Sequence, residues 1–392
     1  MTVSGQSTLT HEEVMSRTQA LLPLIREHIS EAEKARQQPA EVVQAFVASG
    51  LIRLLTPARW GGHEFSFDAY VDSVLEVAKV DASAGWCYSF FIIHAWFLSL
   101  FPEGAQRDVW SENPDALIAT SFIRAGKPTR VEGGYRLSGT WPWSSGIDAS
   151  AWAMLMGLVP AEAEGSPEMR FFLVPRSDFE IVDTWFVVGQ KATGSKTVVV
   201  NDVFVPEHRT VSFVATILGK GPGTATNPGP LYRHPLNTIF PAALAAPVLG
   251  ATIGAYEVWR DISRDRFTSY THEKVTEMSH IQIRLAEVSA EIDCAHLLLR
   301  RTLDSARAVG PAPMPVVQRN QRDFAYISRL CVHAVEQLFL MSGGSVVLDT
   351  HPLQRYWRDV HAIAGHAILN FDSAGEAFGR AELGIPPKRR GN

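Results

Sequence analysis

Two histidines in apolar surroundings are the side chains of this sequence best suited to chemistry. His366 ends the segment RDVHAIAGH (358–366), and His94 lies within the uncharged run GWCYSFFIIHAWFLSLF (85–101). A neutral imidazole can take up and return a proton near pH 7, but a buried one requires a hydrogen-bond partner. From the residues alone, each histidine could act as a general base or satisfy a packed helix interface.

The spacing of the histidines does not indicate a metal site. On a helix, His361 would lie about 140° around the axis from His366, whereas Asp359 would lie about 20° away but two turns distant. The 13 histidines form no HxH or HExxH pattern. The three cysteines are scattered and have no zinc spacing. We therefore predict no metal.

The composition is that of an ordinary globular enzyme, and it excludes two classes of partner. The chain has 392 residues, of which 46% are hydrophobic and 20% charged. Its net charge of -5 gives no electrostatic support for binding nucleic acid or an anionic membrane. The first ten residues are polar and predict no signal peptide, and an odd cysteine count argues against disulfides, so we expect a cytoplasmic protein. The apolar runs 86–102 and 239–256 are near the lower length limit for a membrane span, and we predict buried core helices there.

The first 115 residues carry helical signals. Thr10 and Glu13 have the spacing of a capping box at the start of a predicted helix over 10–36. Ser66 can cap another helix over 67–79, and the uncharged run that contains His94 predicts one more.

The pattern changes twice in the rest of the chain. Residues 117–213 are rich in Val, Ile, Phe, Trp and Thr with turn signals between them, which predicts several short strands. Residues 219–235 fit a loop, and 239–380 contain four long helical stretches. The predicted fold is α+β, mainly α, with an N-terminal helical domain (1–116), a central β domain (117–215) and a C-terminal four-helix bundle (236–392).

This order of domains resembles the acyl-CoA dehydrogenases. The segments GLIRLLTPARWGG (50–62), NDVFVPEHR (201–209) and LQRYWRD (353–359) are similar to motifs of that family. In dehydrogenases of that type, the catalytic glutamate follows the arginine of RD by nine residues. Here the position nine residues after Arg358 is Ala367, so the dehydrogenase base is absent from its expected place.

Four other motifs resemble the oxygenase components of two-component (group D) flavin-dependent monooxygenases, which share the acyl-CoA dehydrogenase fold. The similar proteins are p-hydroxyphenylacetate hydroxylase, secosteroid-phenol hydroxylase and dibenzothiophene monooxygenase. Besides the two segments that contain the histidines, the matches are GGYRLSGTWPWSSG (133–146) and GQKATGSKTV (189–198). Trp143, Lys191 and Ala192 depart from the usual residues of these motifs.

The resemblance implies a reaction as well as a fold. Such an oxygenase uses reduced flavin (FMNH2, with FADH2 as an alternative) and O2 to form a flavin C4a-hydroperoxide, which monooxygenates an aromatic or heteroaromatic small molecule. A separate NAD(P)H:flavin reductase supplies the flavin, and the oxygenase is a homotetramer. The chemistry requires a dry cavity with hydrogen-bond donors near the flavin. A base that removes a phenolic proton assists it.

The resemblance also implies functional residues. It makes His366 the first candidate for the base or a peroxide contact, places His94 at the substrate pocket, and gives Ser145 a catalytic contact with flavin N5 or the peroxide. The residues implied to contact the cofactor are Trp141, Ser144, Ser145, Ser121, Thr193, Gly194, Ser195 and Arg266.

Structural explanations remain open for several of these residues. Trp141 and Trp143 would also suit one face of a strand. Arg266 is similar to an arginine that meets cofactor phosphate across a subunit interface, yet it also suits a surface ion pair with a neighbouring aspartate. Two rival functions remain: a dehydrogenase that has relocated its base and holds oxidised FAD, and a helical scaffold without catalysis.

Overall fold

The computed structural model describes residues 9–161, 166–306 and 312–388. Helices come first, a sheet follows, and helices complete the chain. The N-terminal helices are α1 (His11–Ala35), α2 (Ala40–Ala48), α3 (Phe67–Val80), α4 (Ala82–Leu98) and α5 (Glu103–Trp110). The strands are β1 (Ile118–Val131), β2 (Gly134–Ser144), β3 (Trp152–Val159), β4 (Glu168–Pro175), β5 (Glu180–Val182), β6 (Lys196–Pro206) and β7 (Thr210–Ser212). The remaining helices are α6 (Phe213–Ile217), α7 (Leu236–Ile239), α8 (Ala242–Ser263), α9 (Ser279–Ala306), α10 (Met314–Leu340), α11 (Pro352–Ala364) and α12 (Phe371–Glu382). The predicted fold class is confirmed, whereas the exact domain boundaries stay a prediction.

Side-chain caps begin the N-terminal helices. At α1, the Thr10 hydroxyl accepts from the Glu13 backbone N–H at 3.1 Å, and the Glu13 carboxylate accepts from the Thr10 N–H at 2.7 Å. The Ser66 hydroxyl begins α3 by accepting from the Ala69 N–H, and the Asp81 carboxylate begins α4 in the same way. Each cap satisfies a backbone donor that has no partner inside its helix. The capping box and the Ser66 cap are confirmed.

Helix α4 is buried along its whole length, because α3 and α8 pack against it and β1 closes the remaining side. Glycines let these helices approach closely: a Cβ on Gly85 would lie 2.5 Å from the Ala78 Cβ, and one on Gly250 would lie 2.7 Å from it. In the described chain, Leu236–Ser263 is long and apolar enough to span a membrane, but 94% of its most apolar window is buried inside the protein. It is therefore packed as a core helix.

The sheet has the strand order β5-β6-β2-β1-β3-β4-β7. Neighbouring strands are antiparallel except for the pair β1 and β3. Strand β1 joins the two halves of the sheet: its residues Ile118–Ser121 pair with β3, and its residues Lys127–Val131 pair with β2. The register shifts between Ser121 and Gly126. The first half of β1 therefore faces α4, where it can contribute to a site.

One expectation about the last helix is wrong. Helix α11 ends at Ala364, and α12 begins only at Phe371. His366 is not on the helix; it lies in the break and caps a short 3₁₀ turn, because its Nδ1 accepts the Ile368 N–H at 3.2 Å. The angles expected from Asp359 and His361 to His366 therefore do not apply.

Candidate functional site

A cavity of about 520 Å³ lies between α4, β1, the end of β2, the turn before β6 and the break after α11. Aromatic rings from α4, from β1 and from Phe240, between α7 and α8, form much of its wall. Six of the predicted site residues line it: His94, Ser121, Ser145, Thr193, Ser195 and His366. Two other hollows, of about 600 Å³ each, are more open to solvent and are lined by none of the predicted residues. The fold therefore brings these six predicted side chains together in one cavity.

His94 is held in one protonation state by its neighbours. Its ring is 2% exposed and stacks on Phe240 at 6.0 Å between centroids. Nδ1 lies 2.7 Å from the Ile118 carbonyl oxygen. Because a carbonyl can only accept, Nδ1 carries the proton and Nε2 has a free lone pair. Burial lowers the pKa of His94 to about 4, so the ring is neutral at pH 7. Nε2 is buried with no hydrogen-bond partner among the described residues.

His366 carries its proton on the other nitrogen. Its Nδ1 accepts the Ile368 N–H, so the proton of the neutral ring lies on Nε2. The ring is half-buried, and the loss of hydration lowers its pKa below the ordinary value. The rings of His94, Phe90, Trp86 and His366 form a continuous row, with neighbouring centroids 4.9 to 6.1 Å apart. An acceptor nitrogen and a donor nitrogen thus stand at the two ends of one aromatic row.

Three hydroxyl groups form a directed chain on another wall. The Thr193 hydroxyl donates to the Gln190 carbonyl at 2.9 Å, and its oxygen lies 2.7 Å from the Ser195 hydroxyl. Ser195 must therefore donate to Thr193, and the Ser145 hydroxyl, 2.8 Å away, must donate to Ser195. The Ser145 oxygen already accepts from Trp86 Nε1 at 2.9 Å. Its second lone pair is available to one further donor in the cavity.

Ser121 also has a fixed polarity. Its hydroxyl donates to the Pro142 carbonyl at 2.9 Å, so its oxygen can only accept from a ligand. The neighbouring Thr120 Oγ1 is buried and has no hydrogen-bond partner among the described residues. Both residues line the cavity.

Two predicted residues on β2 lie outside the cavity. Trp141 is fully buried and donates to the Met156 carbonyl. The Ser144 hydroxyl is buried without a partner among the described residues. The cause is a shift in register: Trp141 pairs with Val198 and Ser144 with Lys196, so three residues advance on β2 for two on β6. Such a bulge puts positions 141 and 144 on one face and 143 and 145 on the other. The expectation that Trp141 walls the cofactor and that Ser144 contacts it is not supported; Trp143, at a φ of +66°, lines the cavity instead.

Gly194 serves the cavity through its backbone. Its φ is +53°, and a Cβ there would lie 2.9 Å from the Asp148 carboxylate, on the side away from the cavity. Glycine adopts this left-handed conformation readily. The turn it makes leaves Thr193 and Ser195 on the cavity wall, but Gly194 itself does not line it.

Arg266 follows α8 in the chain and lies away from the cavity, where its side chain contacts the end of α10. Its guanidinium donates to the Met341 and Ser342 carbonyls, with 2.7 Å to the latter. Burial lowers its pKa. The described residues give it no ion pair with an aspartate, so that alternative is wrong. Its contact with cofactor phosphate stays a prediction.

Several lining residues were not predicted. Gln190 is 5% exposed, and both atoms of its side-chain amide lack hydrogen-bond partners in the described chain. Trp185 donates through Nε1 to the Gln190 carbonyl at 3.0 Å. Gln190 lies inside the segment 189–198, where a long polar side chain beside a glycine was the available signal. Asp359 accepts the Gln190 backbone N–H at 2.6 Å, and burial together with nearby Asp81 raises the pKa of Asp359 to about 7.

The described residues contain no group of three His, Cys, Asp or Glu side chains close enough to hold a metal ion. Ala367 lines the cavity at the position where the dehydrogenases have their glutamate. The polar groups that the cavity wall supplies include two histidine rings and the hydroxyl groups of serine and threonine.

Comparisons with known proteins agree with this geometry. The family model "Acyl-CoA dehydrogenase, N-terminal domain" matches residues 12–113, and "Acyl-CoA dehydrogenase, C-terminal domain" matches residues 242–371. The oxygenase subunit HsaA of a flavin-dependent monooxygenase from Rhodococcus jostii is 37% identical over 95% of this chain and 98% of its own length. The oxygenase component of an FADH2-dependent resorcinol hydroxylase from a Rhizobium species is 35% identical over 97% of this chain and 96% of its own.

A solved structure is similar over the same extent. The crystal structure of a 3-HSA hydroxylase from Rhodococcus sp. RHA1 has a TM-score of 0.90 and 36% identity, covering 96% of this chain and 98% of that one. These relatives favour a reduced-flavin oxygenase over a dehydrogenase with a relocated base. The chain belongs to the oxygenase components of flavin-dependent monooxygenases, enzymes of the acyl-CoA dehydrogenase fold that use reduced flavin and work with a separate partner component.

Proposed function

We propose that this oxygenase transfers one atom of O2 to an aromatic or heteroaromatic small molecule that carries an acidic hydroxyl group, using flavin reduced by a separate NAD(P)H:flavin reductase. The observation that carries the proposal is the Nε2 atom of His94, which is buried in a cavity walled by aromatic rings and has no hydrogen-bond partner among the described residues. We further propose a cytoplasmic homotetramer, in keeping with the resemblance described above.

The residues of the cavity fit a flavin ring. Such a ring is flat and apolar on its faces, with N–H and C=O groups along its edges. The wall offers aromatic rings from Trp86 and Phe90, and buried polar atoms on Thr120 and Gln190 that have no hydrogen-bond partner among the described residues. Unpaired buried polar atoms are costly, and a bound ligand that pairs with them removes that cost. When bound, reduced flavin together with O2 supplies the activated oxygen.

His94 is placed to accept a hydrogen bond from the substrate hydroxyl and to take its proton as the oxygen atom is transferred, because its lowered pKa disfavours an imidazolium formed before that step. Its Nε2 can only accept, and its Nδ1–H is anchored on the Ile118 carbonyl. As the ring gains a proton, the bond to that carbonyl strengthens, because a charged donor binds more strongly than a neutral one. A phenol that loses its proton becomes richer in electrons at the ring carbons, which favours attack on an electrophilic oxygen. We assign the role of base to His94 on this basis.

His366 supplies the complementary group. Its Nε2–H can donate to a developing negative charge but cannot accept a proton while Nδ1 is engaged with Ile368. A preorganised donor in a site that excludes water stabilises such a charge. Two roles are predicted for His366, the base and a contact with the peroxide. The donor Nε2–H therefore favours the contact with the peroxide.

Ser145 orients the cofactor in this proposal. The directed chain through Ser195 and Thr193 leaves one lone pair of the Ser145 oxygen for an N–H donor. Reduced flavin carries such a donor at N5. The hydroxyl chain would therefore hold the ring in one orientation.

The experiment is rapid mixing of the protein and anaerobically reduced flavin with oxygenated buffer, with and without a panel of phenols. We expect bound flavin to reoxidise more slowly than free flavin, and a hydroxylated phenol to form in proportion to the flavin consumed. FMN and FAD are tested in parallel, because FMN is the predicted cofactor while a relative at 35% identity is named for FADH2. Reoxidation at the rate of free flavin with both cofactors, without any product, would contradict the proposed function.

A further inference from the structure

The side chain of Gln190 is the least explained polar group in the cavity wall. It is 5% exposed, and neither its amide nitrogen nor its amide oxygen has a partner among the described residues. A buried amide without hydrogen bonds destabilises a fold, so native proteins rarely keep one. Gln190 nevertheless lies against the cavity, where a ligand could complete its hydrogen bonds.

Hydrogen bonds fix the backbone of Gln190, in contrast to its side-chain amide. Its φ is +56°, a left-handed conformation that costs free energy for a residue other than glycine. Its N–H donates to the buried Asp359 carboxylate, and its carbonyl accepts from Trp185 Nε1 and from the Thr193 hydroxyl. These bonds come from α11 and from both sides of the turn. They hold the side chain against the cavity in one place.

A second buried glutamine shows what a purely structural role looks like. Gln106 donates through Nε2 to the Ser99 and Phe101 carbonyls at 3.1 and 2.8 Å. Its Oε1 accepts from Arg59 and Trp60 at 3.0 and 3.1 Å. Gln106 does not line the cavity that contains the histidines. Gln106, whose amide is fully hydrogen-bonded, lies outside the cavity wall. Gln190, whose amide has no hydrogen-bond partner among the described residues, borders the cavity.

We propose that the Gln190 amide binds the pyrimidine edge of the flavin ring, accepting from the ring imide N3–H and donating to an adjacent carbonyl. A primary amide offers one donor and one acceptor side by side, which matches an adjacent N–H and C=O pair. This inference rests on the reduced-flavin function proposed above.

A chain of hydroxyl groups links Gln190 to Ser145 along one stretch of the cavity wall. The chain begins at the Gln190 carbonyl and passes through Thr193 and Ser195 to Ser145. In a flavin, N5 lies beside the C4 carbonyl, and N3 is the next ring atom beyond that carbonyl. A ring whose N5–H meets Ser145 would therefore present its C4 carbonyl and N3–H towards the part of the wall that Gln190 occupies.

The test compares Gln190→Met with Gln106→Met. Methionine has nearly the length of glutamine and removes both polar atoms. The dissociation constant of reduced FMN or reduced FAD, whichever binds the wild type more tightly, is measured anaerobically. It is measured again with the N3-methyl derivative of that flavin, which lacks the imide proton. We expect Gln190→Met to weaken the natural flavin on the order of tenfold. Gln190→Met should weaken the N3-methyl flavin by a smaller factor than the natural flavin, because the N3-methyl flavin already lacks one of the two bonds that the variant removes.

Thermal unfolding without ligand separates binding from structure. Gln190→Met should unfold at the wild-type temperature or above, because it removes a buried amide that has no partner. Gln106→Met should unfold at a lower temperature and bind flavin like the wild type, because its hydrogen bonds are internal.

Two results would overturn the inference. One is a flavin affinity unchanged by Gln190→Met while the affinity for the phenol falls, which would make Gln190 a substrate contact. The other is a lower unfolding temperature with equal weakening of both flavins, which would make it structural. Failure of the wild type itself to bind any reduced flavin would instead contradict the proposed function, and this inference with it.

Discussion

The two histidines of the cavity lie in opposite kinds of backbone, and their chemistry differs accordingly. His94 is in the last third of the regular, fully buried helix α4 and meets a backbone carbonyl. His366 is in the break after α11 and meets a backbone N–H. The same side chain is thereby an acceptor through Nε2 in one place and a donor through Nε2 in the other. The tautomer, and with it the role, is set by which backbone atom lies within reach of Nδ1.

The largest expected effect follows from removing the acceptor. His94→Phe keeps an aromatic ring between Phe90 and Phe240 but has no nitrogen to take the substrate proton. General-base catalysis contributes typically 10²–10⁴-fold, so we expect hydroxylation to slow by about a thousandfold. Reduced flavin should still bind and still consume O2. Single-turnover mixing that follows both flavin and product checks this.

The control for that result is His366→Phe in the same assay. If His366→Phe lost more hydroxylation than His94→Phe while flavin binding remained intact in both, the assignment of base and donor would have to be exchanged.

The next effect concerns stability against acid. His94 has an ordinary pKa of 6.5 when unfolded and about 4 when folded, because burial disfavours its charged form. Between these values the unfolded chain binds the extra proton, so stability falls as the pH falls from 6.5 towards 4, by about 3 kcal/mol for this one group. Above pH 6.5, His94 is neutral in both the folded and the unfolded chain, so it contributes no pH dependence to the stability. In His94→Phe this loss should be absent, so denaturant unfolding at pH 7 and pH 5 should differ less for the variant than for the wild type. Equal differences would mean that His94 is not buried in its neutral form.

The sequence could predict α4 but not the break after α11. An uncharged run of 17 residues next to a capping aspartate leaves little choice but a buried helix. The break depends on His366 and Asn370, which cap the short turn and α12 with their side chains. Both residues also occur inside helices, so their capping becomes visible only when the fold positions the chain.

The sequence predicted several residues of the cavity wall, but it did not predict which face of β2 each of them occupies. Ser145 and Ser121 line it as expected, whereas Trp141 and Ser144 face away because of the bulge on β2. A bulge adds one residue and inverts every later side chain on the strand. Alternation in the sequence cannot show where that residue is added. The unpaired amide of Gln190 is likewise a property of its surroundings and not of its segment.

A smaller effect is expected from removing the donor at the break. His366→Phe keeps a ring beside Trp86 but loses the Nε2–H group. A single hydrogen bond contributes about 1 kcal/mol, which corresponds to roughly a fivefold to tenfold change. We expect less product per flavin consumed and more hydrogen peroxide, because the oxygen species is held less well. Quantifying peroxide with and without catalase checks this. Unchanged coupling would leave His366 with a structural role only, as the cap of the short turn and a ring beside Trp86.

The smallest effects come from the two adjacent serines, which the bulge places on opposite faces of β2. Ser145→Ala removes the oxygen that ends the hydroxyl chain, and we expect reduced flavin to bind about threefold to tenfold more weakly. Ser144→Ala removes a buried hydroxyl that has no partner among the described residues, so it should leave flavin affinity unchanged and the unfolding temperature equal or slightly raised. Anaerobic flavin titrations and thermal unfolding of both variants provide the comparison. A flavin defect in Ser144→Ala with none in Ser145→Ala would mean that the bulge lies one residue away from its place in this structure. The face that β2 presents to the cavity would then be the opposite one.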